Sequence, residues 1–203
     1  MCKEEHFYTL VDKRRSIRRF HPESVPEEML ERLLRAASLA PSAHNNQPWR
    51  FVVLTKEPAK TRVRNAMLEK FRETLEAEKY TREEVEKQLE HAEEVFDRAP
   101  AGVIICMSVS DMQHHTDPNR SEGEYLMTVQ SAALAGGQLL LAAQAEGLGA
   151  CWVCSPLFTQ KAVRQALDLP EEWEPQALIQ LGFPDEMPGP RSLMSLEELV
   201  LWQ

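Results

Sequence analysis

Glycine is scarce in this chain, eight residues in 203, and none of it falls in a G-x-G-x-x-G, a G-x-x-x-x-G-K or a G-x-S-x-G pattern. A dinucleotide fingerprint, a P-loop and a serine-hydrolase elbow each need glycine at fixed positions, so all three readings lose most of their support. Cysteine is also rare: four residues at positions 2, 106, 151 and 154 do not resemble a disulfide framework, which points to a reducing, cytoplasmic setting. The opening residues MCKEEHFYTL lack the apolar core of a secretory signal. No apolar run approaches the roughly 18–20 residues of a membrane span, so a soluble chain without a membrane partner is expected. Positive charge is in deficit, 23 Lys and Arg against 32 Asp and Glu, for a net charge of −9. Nucleic acid and anionic membrane both need a positive surface, so neither is expected as a partner. Any anion this protein binds needs a local exception.

What is present alternates between helical and strand patterns. Ser24, Pro26 and Glu27 make a helix start signal, and Met29, Leu30, Leu33, Leu34 and Ala37 then recur at helical spacing. Arg50–Leu54, after Pro48, reads as a buried strand. The chain from Ala59 to Val95 is dense in Glu, Lys and Arg, with Thr81 and Glu84 as a capping box between two exposed helices. A solvated helical excursion over about 59–98 is therefore expected. Ala101–Met107 reads as a central strand, apolar on both faces, and 108–120 as a loop. Ser121 and Glu124 then cap the longest helix, which runs to about Glu146 with apolar residues around most of its circumference. Such a helix is buried by the fold or by a second subunit. Gly136-Gly137 in its middle costs roughly 1 kcal/mol per glycine, which predicts the close approach of another backbone. Gly147-Leu148-Gly149 ends it; a strand over 150–154, a helix capped by Thr159, a strand over Gln176–Leu181 and a turn from Ser195 to Glu198 follow. The order predicts one domain over 1–203, with helices and strands around a single sheet.

Three constellations are candidates for chemistry. Lys13-Arg14-Arg15-Ser16-Ile17-Arg18-Arg19 puts five cations in seven positions of an acidic chain. The guanidinium fork matches phosphate oxygens, and the serine adds a neutral donor; a solvated basic segment pairing with surface carboxylates is the competing reading. Pro41-Ser42-Ala43-His44-Asn45-Asn46-Gln47-Pro48-Trp49 is a polar loop on a buried base, suited to the edge of a flat heterocycle or simply a connector. Adjacent histidines such as His114 and His115 rarely converge on one ion without carboxylate or cysteine help, so no metal is expected.

Together, RRSIRRF at 14–20, PSAHNNQPWRF at 41–51, GLGACWV at 147–153 and Arg191 in MPGPR resemble the signature regions of the FMN-dependent nitroreductase superfamily. Within it, GACWVCSPLFTQKAVRQALDLPEEWEP is most similar to the reductase-like domain of deazaflavin-cofactor biosynthesis proteins. The resemblance implies an α+β fold with a mostly antiparallel central sheet flanked by helices, in an intertwined homodimer with FMN at the subunit interface. It implies that Arg14, Arg15 and Ser16 meet the FMN phosphate and ribityl chain, that Arg191 closes on the phosphate, and that Arg18 lies near the pyrimidine end of the ring. Pro41, Ser42, Ala43, Asn45 and Gln47 would belong to the cofactor site, reached from the partner chain, and Trp152, Val153, Cys154 and Ser155 would line the other side of the ring. Ser155 stands where members often have glycine and Cys154 where they have a different residue, a departure at the contact to the hydride-accepting ring nitrogen; Gly189 stands where a lysine is common, which predicts weaker phosphate binding. No side chain is assigned a catalytic role. The implied activity is ping-pong hydride transfer from NADH or NADPH through FMN to a small nitroaromatic or quinone acceptor. A flavin- or deazaflavin-related biosynthetic reductase and a flavin-binding protein without turnover are the alternatives.

Cys151 and Cys154 form a C-x-x-C that invites a thiol–disulfide reading. In a strand, residues three apart lie about 10 Å apart and face opposite ways, whereas a disulfide needs Cα atoms within about 7 Å. With the next helix expected only near Thr159, neither a redox pair nor half a zinc site is predicted. Cys151 is expected in the core and Cys154 close to the ring.

Overall fold

The computed structural model describes residues 3–203; Cys2 lies outside them. β1 (Trp49–Leu54), β2 (Ala101–Ser108), β3 (Gly149–Val153) and β4 (Trp173–Gly182) form one sheet in the order β1-β2-β4-β3. All three pairings are antiparallel. β2 is buried along its whole length, as its unbroken apolar run requires of a strand covered on both faces. Alternation sorts the core in two. Val103, Ile105, Met107, Ile179 and Leu181 pack under α2 (Glu27–Ala37) and α5 (Pro118–Ala145). Ile104, Cys106 and Leu178 face α3 (Glu57–Ala77), α4 (Arg82–Asp97) and α7 (Gln160–Ala166), meeting Val63, Met67, Phe96 and Val163. The register slips between Ile105 and Cys106, which pair with Ala177 and Pro175. Pro175 has no N–H to give the ladder, and Gln176 is the extra residue of the resulting bulge.

The remaining elements are α1 (Lys3–Lys13), α6 (Ser155–Phe158) and α8 (Leu196–Leu199). Several expected boundaries move, each for a local reason. α2 starts behind Pro26, whose φ of −58° already suits a helix, and Ser24 caps nothing. α5 starts at Pro118 behind Asp117, whose carboxylate accepts from Asn119 N–H; Ser121 instead donates to the His115 carbonyl. Thr159 holds the N-cap position of α7 as expected, though its hydroxyl donates to the Ser155 carbonyl instead of capping, and a short α6 begins directly after Cys154. The capping boxes at Thr81–Glu84 and Ser195–Glu198 form as expected.

The excursion is more than a solvated arm. α3 and α4 bury Leu75, Val85 and Leu89 against each other at their far end and Val63, Met67 and Phe96 against the sheet at the near end. α5 is, by length and composition, apolar enough to cross a bilayer, against the expectation from run length. In the fold its buried face, including Ala132, Ala135, Leu139 and Ala143, packs on the sheet and α2, while Leu126 and Leu134 are exposed.

Candidate functional site

β3 is an edge strand, and the arginine-rich segment closes part of its open side. Ser16 bridges Ala150 in parallel, with Ile17 N–H donating to the Ala150 carbonyl at 3.0 Å. Gly149 is required there, because a Cβ would lie 2.7 Å from Ile17 Cγ2. Further on, Phe20 bridges Pro184 and His21 N–H donates to the Phe183 carbonyl at 2.9 Å. Glu186 finishes the junction, its Oε1 accepting from the backbone N–H groups of both Arg18 and Arg19. The segment after β4 is thereby tied to the arginine run, which brings Arg191 beside Arg14. Burial first, then the neighbouring charges of Arg191 and Arg15, pull the Arg14 guanidinium below its ordinary value. Among the described residues, neither Arg14, Arg15 nor Arg191 has a carboxylate at ion-pair distance; Arg191 donates only to the Val11 carbonyl, at 3.4 Å. Three clustered guanidiniums without a counter-charge are a site for a multivalent anion.

The strand beside them presents two different faces. Cys151 opposes Gln180 and Val153 opposes Leu178, so these four share the α3–α4 side of the sheet. Trp152 points the other way into a gap left by Gly136 on α5, where a Cβ would meet the indole at 2.2 Å. Within the protomer the close approach at the glycine pair is that of a side chain and concerns Gly136, since Gly137 has open space. The indole Nε1 donates to Cys154 Sγ at 3.3 Å.

All three described cysteines are free thiols. Burial pushes the Cys106 thiol up to about 12 and raises Cys151 as well, the latter against the opposing pull of Arg18 and Arg14. Neither is a thiolate at neutral pH. Cys154 occupies the cap position of α6, so the helix does follow the C-x-x-C at once, contrary to expectation, but it is four residues long. The sulfur orients Trp152 rather than a second thiol.

The loop Pro41–Gln47 makes its contacts elsewhere. Ala43 N–H donates to Ser131 Oγ on α5, Gln47 N–H to Ser42 Oγ, and Asn46 Nδ2 to the Asp111 carbonyl. His44, Asn45 and Gln47 all have positive φ, between 49° and 55°. Such backbone costs roughly 1–2 kcal/mol per residue and persists only where surrounding contacts fix it. Arg50 to Asp111 at 2.7 Å is one such contact. Glu124 of α5 is another: its side chain is 7% exposed, and its Oε1 lies 3.4 Å from Nε2 of both His44 and His115. Glu124→Ala is expected to speed amide exchange over 43–47 about tenfold or more, read by hydrogen–deuterium exchange, while α3 and α4 stay unchanged. Among the described residues no group of three or more His, Cys, Asp or Glu is arranged to hold a metal ion.

Within one protomer, then, Arg14, Arg15, Arg18 and Arg191 gather at the β3 edge with Ser16 in the bridge, and Trp152, Val153, Cys154 and Ser155 form the strand's end. The hydrogen bonds and ion pairs of Pro41, Ser42, Ala43, Asn45 and Gln47 do not reach that cluster. Sequence reading missed Glu186, whose partners are remote in the chain, and took Glu124 for a capping residue, whereas its carboxylate faces His44 and His115.

Known proteins fit this geometry. The nitroreductase family model matches residues 11–183. A Thermus thermophilus protein named NADH dehydrogenase is 33% identical over 196 residues, 96% of this chain and 95% of its own. A Methanothermobacter thermautotrophicus protein named as an NADH dehydrogenase/NAD(P)H nitroreductase is 32% identical, over 94% of this chain and 84% of its own. Among solved structures, a Desulfovibrio desulfuricans nitroreductase in complex with FMN superposes with a TM-score of 0.74 at 26% identity, covering 97% and 96% of the two chains. A BluB-like flavoprotein from Clostridium difficile shares the fold with a TM-score of 0.82 at 22% identity, over 97% and 98%. With the family model spanning the arginine run, the polar loop and all four strands, this chain belongs to the nitroreductase family.

Proposed function

We propose that this protein is an FMN-dependent oxidoreductase that takes hydride from NADH or NADPH and reduces a small oxidised acceptor in alternating half-reactions. The observation that carries the reading is the Arg14–Arg15–Arg191 group, uncompensated by carboxylate among the described residues and set at the edge of an apolar strand end. A phosphate with a flat apolar ring attached fits both parts. Arg14, Arg15 and Arg191 would hold the phosphate, Ser16 the ribityl chain, and Arg18 the pyrimidine end of the ring, where a cation favours the reduced form. The strand end at Trp152–Ser155 would support the ring, its position fixed by the indole seated on Gly136. FMN bound there supplies the hydride chemistry, and the protein contributes orientation and charge.

A homodimer completes the site in this proposal. α5 leaves Leu126, Ala133 and Leu134 uncovered on its outer face. Burying that face against a symmetry mate carries the partner's Pro41–Gln47 loop, which rides on α5 through Ser131, toward the ring. The strained, pinned loop conformation is what a backbone-reading contact needs.

The decisive experiment is the absorption spectrum of the purified protein, followed by anaerobic addition of NADH or NADPH. A yellow protein whose flavin band bleaches with either nucleotide and returns on adding a quinone is expected. A colourless protein that ignores added FMN overturns the proposal, and a yellow one that neither nucleotide bleaches leaves binding without turnover.

A further inference from the structure

Most of the buried face of α5 is apolar, but Glu124, Thr128 and Ser131 form a buried polar stripe on it. Their spacing of four and then three residues stacks them on one side of the helix. The two hydroxyls are satisfied by the helix itself, Thr128 Oγ1 donating to the Glu124 carbonyl at 2.8 Å and Ser131 Oγ to the Met127 carbonyl at 2.7 Å. The Glu124 carboxylate has no such recourse, because it only accepts. Among the described residues its partners are two imidazoles from separate segments: His44 Nε2 of the polar loop and His115 Nε2 of the stretch between β2 and α5, each 3.4 Å from Oε1. The other charges at this junction are engaged elsewhere. Arg50 pairs with Asp111 at 2.7 Å, Asp117 accepts from Asn119 N–H, and Glu174 of β4 accepts from the Tyr125 hydroxyl. Among the described residues, His114, Arg120 and Glu122 make no ion pair with Glu124.

A buried carboxylate is costly unless a charge compensates it. Among the described residues no arginine or lysine does so here, so the compensating charge has to be a histidine proton. Histidine is the side chain that ordinarily gains or loses that proton between about pH 5 and 8. We propose that Glu124 is a positioning residue that clamps the polar loop to α5 through His44 and His115, and that protonation of these histidines sets how firmly the clamp closes. With an imidazolium present the contact is a charge-assisted hydrogen bond. With both rings neutral the carboxylate keeps only neutral donors and loses its counter-charge, so the clamp is firm on the acid side and loosens as pH rises through the histidine range. The loop's other contact with α5, Ala43 N–H on Ser131 Oγ, does not titrate. The consequence for the cofactor rests on the reading above, in which this loop reaches the partner's flavin: FMN is then held more tightly on the acid side.

Hydrogen–deuterium exchange of the FMN-free protein, corrected at each pH for the intrinsic exchange rate, reads the clamp directly. Protection over 43–47 is expected to fall about five- to tenfold between about pH 5.5 and 8.5 in the wild type, and to stay low and level in Glu124→Gln, which keeps the shape and removes the charge. His44→Asn, whose new side chain also tolerates the positive φ at that position, should flatten the profile likewise and keeps the test open if Glu124→Gln does not fold. Wild-type protection that is level or rises with pH, or a folded Glu124→Gln that keeps the wild-type profile, overturns the proposal. FMN titration carries the test to the site. The FMN phosphate takes up a proton in the same range, but equally for wild type and variant, so the ratio of their affinities isolates the clamp. That ratio is expected to favour the wild type by about five- to tenfold near pH 5.5 and to approach one near pH 8.5. A ratio that does not change with pH overturns the positioning role. FMN binding by a protein with a level loop profile refutes the clamp and leaves the functional reading standing, whereas the expected loop profile in a protein that binds no FMN supports the clamp and refutes the functional reading.

Discussion

Arg191→Ala is expected to lower FMN affinity roughly 10- to 150-fold, the loss of one charge-assisted contact worth about 1.5–3 kcal/mol. The same substitution is expected to leave the FMN-free protein at least as heat-stable as the wild type, and more so at low salt. Both outcomes follow from one geometry. Arg191 is the largest neighbouring charge that pulls the Arg14 guanidinium down, and neither has a carboxylate partner among the described residues. Without an anion the cluster is a like-charge contact, and removing one member relieves it; with an anion the same member is a ligand. Gly189 sharpens the effect, since a lysine is common at that position in the family and here Arg191 is the sole cation between Gly182 and the C-terminus. Titrating FMN into the apoprotein by flavin fluorescence, with melting curves at two ionic strengths, checks both halves. Unchanged FMN affinity would put the phosphate elsewhere and remove the observation on which the functional proposal stands.

The arginine run was legible because it breaks the chain's own rule: five cations in seven residues cannot be averaged into an acidic surface. The central strand β2 was legible for a similar reason, since its unbroken apolar run fits a strand covered on both faces. What failed was local competition between valid signals. Ser24 and Ser121 are good caps in isolation, but each lies near a proline that starts the helix at its own position, at Glu27 behind Pro26 and at Pro118. Glu186 was invisible because its two partners are 167 and 168 residues away, and only the return of the chain after β4 makes it the clasp of the site. Gly136 was half legible. The sequence marks a crowded position in a helix, but whether a backbone or an indole fills the gap depends on which face Trp152 takes, and that is decided by the β3–β4 register.

Gly136→Ala tests whether that indole fixes the strand end. The new Cβ would stand 2.2 Å from Trp152 Cζ3 and 3.1 Å from Cη2, with the α5 backbone behind it unable to retreat from the sheet. Overpacking of this kind costs about 1–3 kcal/mol and outweighs the roughly 1 kcal/mol that alanine gains over glycine in a helix. For a chain of this size, each net kcal/mol lowers the melting temperature by roughly 2–4 °C. The larger effect is expected on function. A displaced indole releases Cys154 Sγ and moves the end of β3, so FMN affinity should fall with stability, and Trp emission should shift to the red as the ring meets water. Gly137→Ala is the matched control: nothing lies within 4 Å of its added Cβ in the protomer, so Trp152 emission should not change. Any weakening of self-association by that control then reports a partner's approach to α5 rather than the indole. Trp152→Phe in the Gly136→Ala background supplies the second test, because a smaller ring leaves room for the methyl group. The double variant should recover stability relative to Gly136→Ala, a coupling of about 0.5–3 kcal/mol expected of groups in direct contact. A Gly136→Ala protein with wild-type melting, emission and FMN affinity would show instead that α5 and β3 separate freely, and that the indole is a passenger on the strand.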